Sequence, residues 1–194
     1  MIWLSERRPD AYGLGEPRMS TVSTRHSRPP ARGDHRPAGA SAVRWGREVP
    51  AAIRSLGALA NADYADIVTA TIDVAPGRTL DELIDATLKD VPRGLPVFVT
   101  IVQRAFLGLR LELRPSPDHL LGWRIADRGE NWIRIEAASW FLTGHVVMQI
   151  DERELSFASF VRYDRRLAAL VWPAISLIHR QVALTLARSA VQAL

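Results

Sequence analysis

The sequence contains no cysteine. That excludes a disulfide framework, a thiolate zinc site and a cysteine nucleophile, and it fits a chain working in the reducing cytoplasm. Lys89 is the only lysine, and every other basic residue is arginine. Arginine reads DNA well, but a GC-rich coding bias accounts for the same ratio. No apolar run reaches the roughly 20 residues that span a bilayer. The longest, Leu167–Ile178, stops at His179-Arg180-Gln181, so no membrane span is expected. Arg7-Arg8 leads into "PDAYGLGEP" rather than an apolar stretch, so neither a Sec nor a Tat signal is readable. Walker A, G-x-G-x-x-G, H-E-x-x-H and G-x-S-x-G patterns are missing, as is any His/Asp/Glu cluster at metal-ligand spacing. No cofactor and no metal are expected.

The net charge of +4 over 194 residues at first suggests a nucleic-acid partner. Its distribution argues otherwise. Residues 1–47 hold nine arginines against four acids, and the remainder holds sixteen basic and seventeen acidic residues. The basicity belongs to the N-terminal segment. Arg78, Arg93, Arg104 and Arg110 form no interleaved basic–aromatic array, so the folded part is not expected to bind nucleic acid.

"RHSRPPARGDHRPAGAS" cannot bury enough apolar surface to order itself. Residues 1–50 therefore read as a disordered Arg/Pro-rich tail, with Met19 a second candidate start and binding of an acidic partner its functional alternative. Residues 51–194 read as one domain. "DYADIVTATIDV" (Asp63–Val74) is β-branched and reads as a first strand. Thr79 is placed to cap "LDELIDATLKD", whose stripe is Leu80, Leu83, Ile84 and Leu88. Val97–Leu109 reads as a second helix, with a strand as its rival. The period then becomes two. Leu121, Trp123 and Ile125 alternate, and "DRGEN" makes a turn with Gly129 in the left-handed region. Ile133, Ile135, Ala137, Ser139 and Phe141 face the core. Gly144 bends the chain into a strand bearing Val146, Met148 and Ile150, and Leu155, Phe157, Ser159, Val161 and Tyr163 alternate in the last. The C-terminus is a helix with Pro173 in its first turn. It is apolar on two sides: Ile175, Ile178, Val182 and Leu186 on one, Leu177, Leu184 and Val191 on the other. The order predicts an α+β domain in which a curved antiparallel sheet wraps a long C-terminal helix, with two short helices after the first strand.

This order resembles the helix-grip fold of the START and polyketide-cyclase-like (SRPBCC) superfamily. "GWRIADRGENWIRIEAASWF" and "FVRYDRRLAALVWPAISLIHR" resemble, more closely, actinobacterial proteins of a domain of unknown function within or near that superfamily. The resemblance covers roughly residues 60–194. It rests on a tryptophan-bearing hairpin and on Trp172, Pro173, His179 and Arg180. It implies a cavity between sheet and helix for an apolar, lipid-like or polycyclic small molecule, and it implies no fixed catalytic residues.

Within such a cavity the strand phase points Trp123, Ser139, Phe141, Met148, Phe157, Ser159 and Tyr163 inward as candidate ligand contacts. His179 lies four residues after Ile175 and faces the same space, as a ligand contact or an acid/base. A core or rim histidine satisfied by a backbone carbonyl is its structural alternative. Glu136 and Arg134 share the opposite sheet face with His145, Trp132 and Trp140, where cross-strand ion pairs are the simplest reading. His119 lies in a loop. Three functions remain open: a binder of an apolar small molecule; a cyclase-, dehydratase- or hydrolase-like enzyme using His179; or an interaction module, a homodimer through Trp132, Trp140 or the second apolar stripe of the last helix.

Overall fold

A computed structural model describes residues 43–72, 78–151 and 153–193. Its elements are β1 (Val43–Gly46), α1 (Ala51–Gly57), β2 (Tyr64–Thr71), α2 (Leu80–Asp90) and α3 (Gly94–Ile101), which continues as a π-helical turn (Val102–Phe106). There follow β3 (His119–Leu120), β4 (Trp123–Arg128), β5 (Trp132–Ala138), β6 (Leu142–Asp151), β7 (Glu154–Tyr163) and α4 (Arg166–Gln192). The strands form one antiparallel sheet in the order β1-β2-β7-β6-β5-β4-β3. The α+β class and the curved sheet wrapped on a long C-terminal helix are as the alternation predicts.

Several boundaries differ from expectation. Regular structure is present before residue 50: Val43–Gly46 is a strand, with Val43 opposite Ala70 and Trp45 opposite Val68. The rest of the expected tail, and Val74, lie outside the described residues. The second helix beats its strand rival and starts earlier than Val97, because Pro96 fits a first turn, where no N–H is needed. Pro173 is not in a first turn. The helix begins at Arg166, and Pro173 sits inside it, lacking the N–H that would meet the Ala169 carbonyl. Gly129 has no positive φ. Glycine is needed there because a Cβ would collide with the Trp132 indole. Gly144 does not bend the chain but lies within β6, where its missing side chain leaves room for Trp123, 3.2 Å from where a Cβ would stand. The expected cap is present: the Thr79 hydroxyl accepts from the Glu82 N–H while the Glu82 carboxylate accepts from the Thr79 N–H.

Three apolar clusters hold the fold. The largest joins Val68, Ile135, Leu155 and Leu83 to Ala187 and Ala190 near the end of α4. A second sets Ala168 and Trp172, from the start of α4, on Tyr64, Leu142 and Val161. The third covers the other sheet face, where Ile53 of α1 meets Ile67, Val147, Ala158 and Phe160. α4 therefore grips the inner face at both ends and spans a gap between them. By length and composition alone α4 is also long and apolar enough to cross a bilayer. It reaches that length because the helix runs on through His179 and Arg180, past the apolar stretch that ends at Ile178.

Candidate functional site

The gap under α4 is a cavity of about 430 Å³. Its walls come from β4–β7, from the inner side of α3, from the 112–122 loop and from Ile175, Ile178, Val182 and Leu186 of α4. Of the sequence-predicted contacts, Trp123, Met148, Phe157, Ser159 and His179 border it. Ser139, Phe141 and Tyr163 do not. Ser139 makes the β5–β6 turn instead, its hydroxyl accepting from the N–H groups of Phe141 and Leu142. Phe141 packs beside Trp140 in the second cluster. Tyr163 pairs with Leu142 at the strand ends, beyond the cavity.

Gln103, Glu112, Arg114 and His119 line the cavity on its α3 and loop side, and under α4 Ser159 and His179 bring the edge of a buried polar cluster to its wall. β2 turns Tyr64, Asp66 and Val68 to the inner face, and the β2–β7 ladder sets Asp66 directly opposite Ser159. α4 lays His179 across both. Ser159 Oγ and His179 Nε2 are 2.9 Å apart, and the same nitrogen is 3.5 Å from Asp66 Oδ1. The Tyr64 hydroxyl donates to Asp66 Oδ2 at 2.6 Å, and the Trp45 indole N–H donates to it at 3.1 Å. Asp66 is only 2% exposed. Burial pushes its carboxyl up. The hydrogen bond and charge of His179, with the hydrogen bonds from Tyr64 and Trp45, outweigh burial and hold it below the usual carboxylate range. Tyr64 is pushed well up, by burial first and then by its hydrogen bond and proximity to Asp66, against the opposing Arg47 guanidinium 4.0 Å above its ring.

The cluster is not a Ser–His–Asp triad. In a triad the hydroxyl and the carboxylate hold opposite ring nitrogens. Here both meet Nε2. When Nε2 carries a proton, the Asp66 carboxylate and Ser159 Oγ both stand where they can accept from it. His179 is therefore satisfied by Asp66 and Ser159, where a backbone carbonyl was its structural alternative. Asp66, Tyr64 and Trp45 were missed in the sequence. An acid in phase with Tyr64, Val68 and Ala70 on an otherwise apolar strand face was the available signal for Asp66.

The opposite sheet face carries ion pairs, as the alternation predicts. Glu136 pairs with Arg124 across β4–β5, and its other oxygen lies 3.7 Å from His145 Nε2. Arg134 meets Asp127 at 3.6 Å and donates to the Leu56 carbonyl. His145 bonds the Gly57 carbonyl. His119 Nδ1 meets Ser116 Oγ in the loop. Trp132 is half-buried, whereas Trp140 is 58% exposed. Among the described residues no group of three or more acids and histidines is placed to hold a metal ion.

Tyr64 makes stability pH-dependent. A folded-state pKa raised above the unfolded value gives stability fully present below about pH 10 and lost as pH rises through the folded value. Tyr64→Phe should lower stability at neutral pH by about 1 kcal/mol through the lost hydrogen bond. It should also flatten the alkaline fall in urea midpoint. Parallel alkaline limbs in the two proteins would refute this.

The fold and site together define an α+β domain whose sheet and C-terminal helix enclose an apolar cavity with one buried polar cluster. No family model matches the chain, and no curated protein or solved structure matches it either.

Proposed function

We propose that this chain is a helix-grip, START-like binding protein that holds an apolar small molecule between its sheet and α4. The observation that supports the reading is a cavity of about 430 Å³ between the sheet and α4. Natural ligand pockets are mostly apolar with a few placed polar groups and run from about 300 to 1,000 Å³. N-phenyl-1-naphthylamine, an uncharged dye that brightens in apolar surroundings, should bind saturably at one site per chain. Ser159→Phe puts a ring into the cavity and should weaken the dye by more than about tenfold, with circular dichroism unchanged. A folded wild-type protein that shows no saturable binding would sink the reading.

The Asp66–His179 contact favours a second reading. A cyclase-, dehydratase- or hydrolase-like enzyme could use His179 as acid/base, with Asp66 steadying Nε2. Once a substrate is known, His179→Gln should then cost about 10²–10⁴ in kcat. Undiminished turnover in that variant would remove this reading.

A further inference from the structure

α3 and its π-helical turn form one apolar helix, Gly94–Phe106, that the domain leaves largely uncovered. A helix of this length and composition usually crosses a protein core or lies at a membrane surface. The first role does not fit. No residue of α3 is buried, and in the turn that continues it only Val102 is. From Gly94 to Gln103 there is no charged residue. Leu95, Val99 and Val102 look inward and line the cavity. Val97, Phe98 and Ile101 fall on the other side of the helix. Val97, Ile101 and Phe106 are each more than half exposed, and Phe98 is nearly so. A groove lined by Leu95, Phe98, Leu177 and Val182 carries the apolar surface across to α4, where Leu177 is exposed as well. A contiguous apolar face of this kind marks an interaction site.

The charges beside this face have one sign. Between Asp90 and Asp118 the chain carries four arginines, Arg93, Arg104, Arg110 and Arg114, against one acid, Glu112, so net +3. All four are exposed. None is in an ion pair among the described residues. Arg93 and Arg104 close the uncharged stretch at its two ends. α4 adds no acid to the face, since Arg166–Gln192 contains none. A second copy seated here by two-fold symmetry would bring arginine to arginine. A bilayer with anionic headgroups supplies both partners: acyl chains for Val97, Phe98 and Ile101, and phosphates for the arginines, whose long stems let the charged heads reach them.

We infer that the outer side of α3, with Leu177 of α4, docks on an anionic membrane surface, the helix lying in the plane of the interface. It is too short to cross a bilayer, which takes about 20 residues. Its inner side walls the cavity, so docking brings that wall to the lipid.

Flotation of the full chain with mixed phosphatidylcholine–phosphatidylglycerol vesicles tests this. The wild type should bind. Combining Val97→Ser with Ile101→Ser should weaken binding by more than about tenfold, because neither side chain is then buried among acyl chains. This pair changes no charge, which matters because the arginine-rich N-terminal segment attracts the same vesicles. Neither residue borders the cavity, so the pair should keep its circular dichroism and its dye affinity measured without vesicles. Arg93→Gln with Arg104→Gln should weaken binding about twentyfold, at about fivefold for each arginine near an anionic surface. Wild-type failure to bind, or undiminished binding by the folded Val97→Ser/Ile101→Ser protein, would overturn the docking face. Undiminished binding by the arginine pair would overturn the anionic partner. A wild-type dimer that Val97→Ser/Ile101→Ser dissociates, with no vesicle binding, would overturn the inference and assign the face to a second copy.

Discussion

Asp66→Ala is expected to destabilise the protein by about 3–4 kcal/mol, the range seen when one member of a buried charged network is removed. The methyl group accepts nothing. The hydroxyl of Tyr64, the indole N–H of Trp45 and the His179 ring then lose their shared acceptor at a position only 2% exposed. Each deserted donor costs more than the net gain from making the bond did, because water cannot take the place of the carboxylate. The loss also depends on pH. The folded-state pKa of Asp66 is depressed. It therefore contributes stability above the unfolded value of about 3.9, and that contribution drains away as pH falls through the lower folded value. Urea midpoints of wild type should drop across this acid range, and those of Asp66→Asn should drop less. An Asp66→Ala protein as stable as wild type at neutral pH would show that the network holds nothing.

Leu83→Ala should cost about 3 kcal/mol for a different reason. Leu83 is 1% exposed in the cluster where α2 meets the sheet and the end of α4. Truncation forfeits the transfer of its side chain from water and leaves a void that close-packed neighbours fill only in part. Leu83 does not border the ligand cavity. Dye affinity in the folded variant should therefore match wild type at low temperature, while the melting temperature falls. A Leu83→Ala protein that keeps its stability but loses the dye would mean that Leu83 shapes the cavity through Ile135 and Met148, which belong to both the cluster and the cavity wall.

The meander was legible because β4–β7 alternate cleanly, and the phase of Ile133, Ile135 and Ala137 alone told inner face from outer. Thr79 announced its helix through capping chemistry that is purely local. The Ser159–His179 contact came within reach of the sequence, since strand phase and helix phase each aimed one residue at the same space. What escaped depended on pairing between distant segments. β1 lies next to an Arg/Pro-rich stretch, and only its pairing with β2 makes "VRWG" a strand. Trp45 therefore fell inside the expected tail, and with it one of the donors that explain the burial of Asp66. β3, two residues long, has no periodicity to detect. Tyr163 has the right phase for the cavity but the wrong depth along its strand, about which phase carries no information, and Ser139 and Phe141 fall in the turn between β5 and β6, where strand phase no longer applies.

Among the described residues the shortest strands, β1 and β3, are also the two that lie at the edges of the sheet. Exposed strand edges are where polypeptides recruit foreign strands, into fibrils or into extended sheets between copies. β3 offers an incoming strand two residues of backbone, and β1 offers four, among them the charged Arg44. The described edge strands of this protein are thus short templates for strand addition. Any contact between copies would fall to its side chains, with Trp140 and the outward-facing Leu170 and Leu177 of α4 the largest exposed apolar groups outside the α3 region.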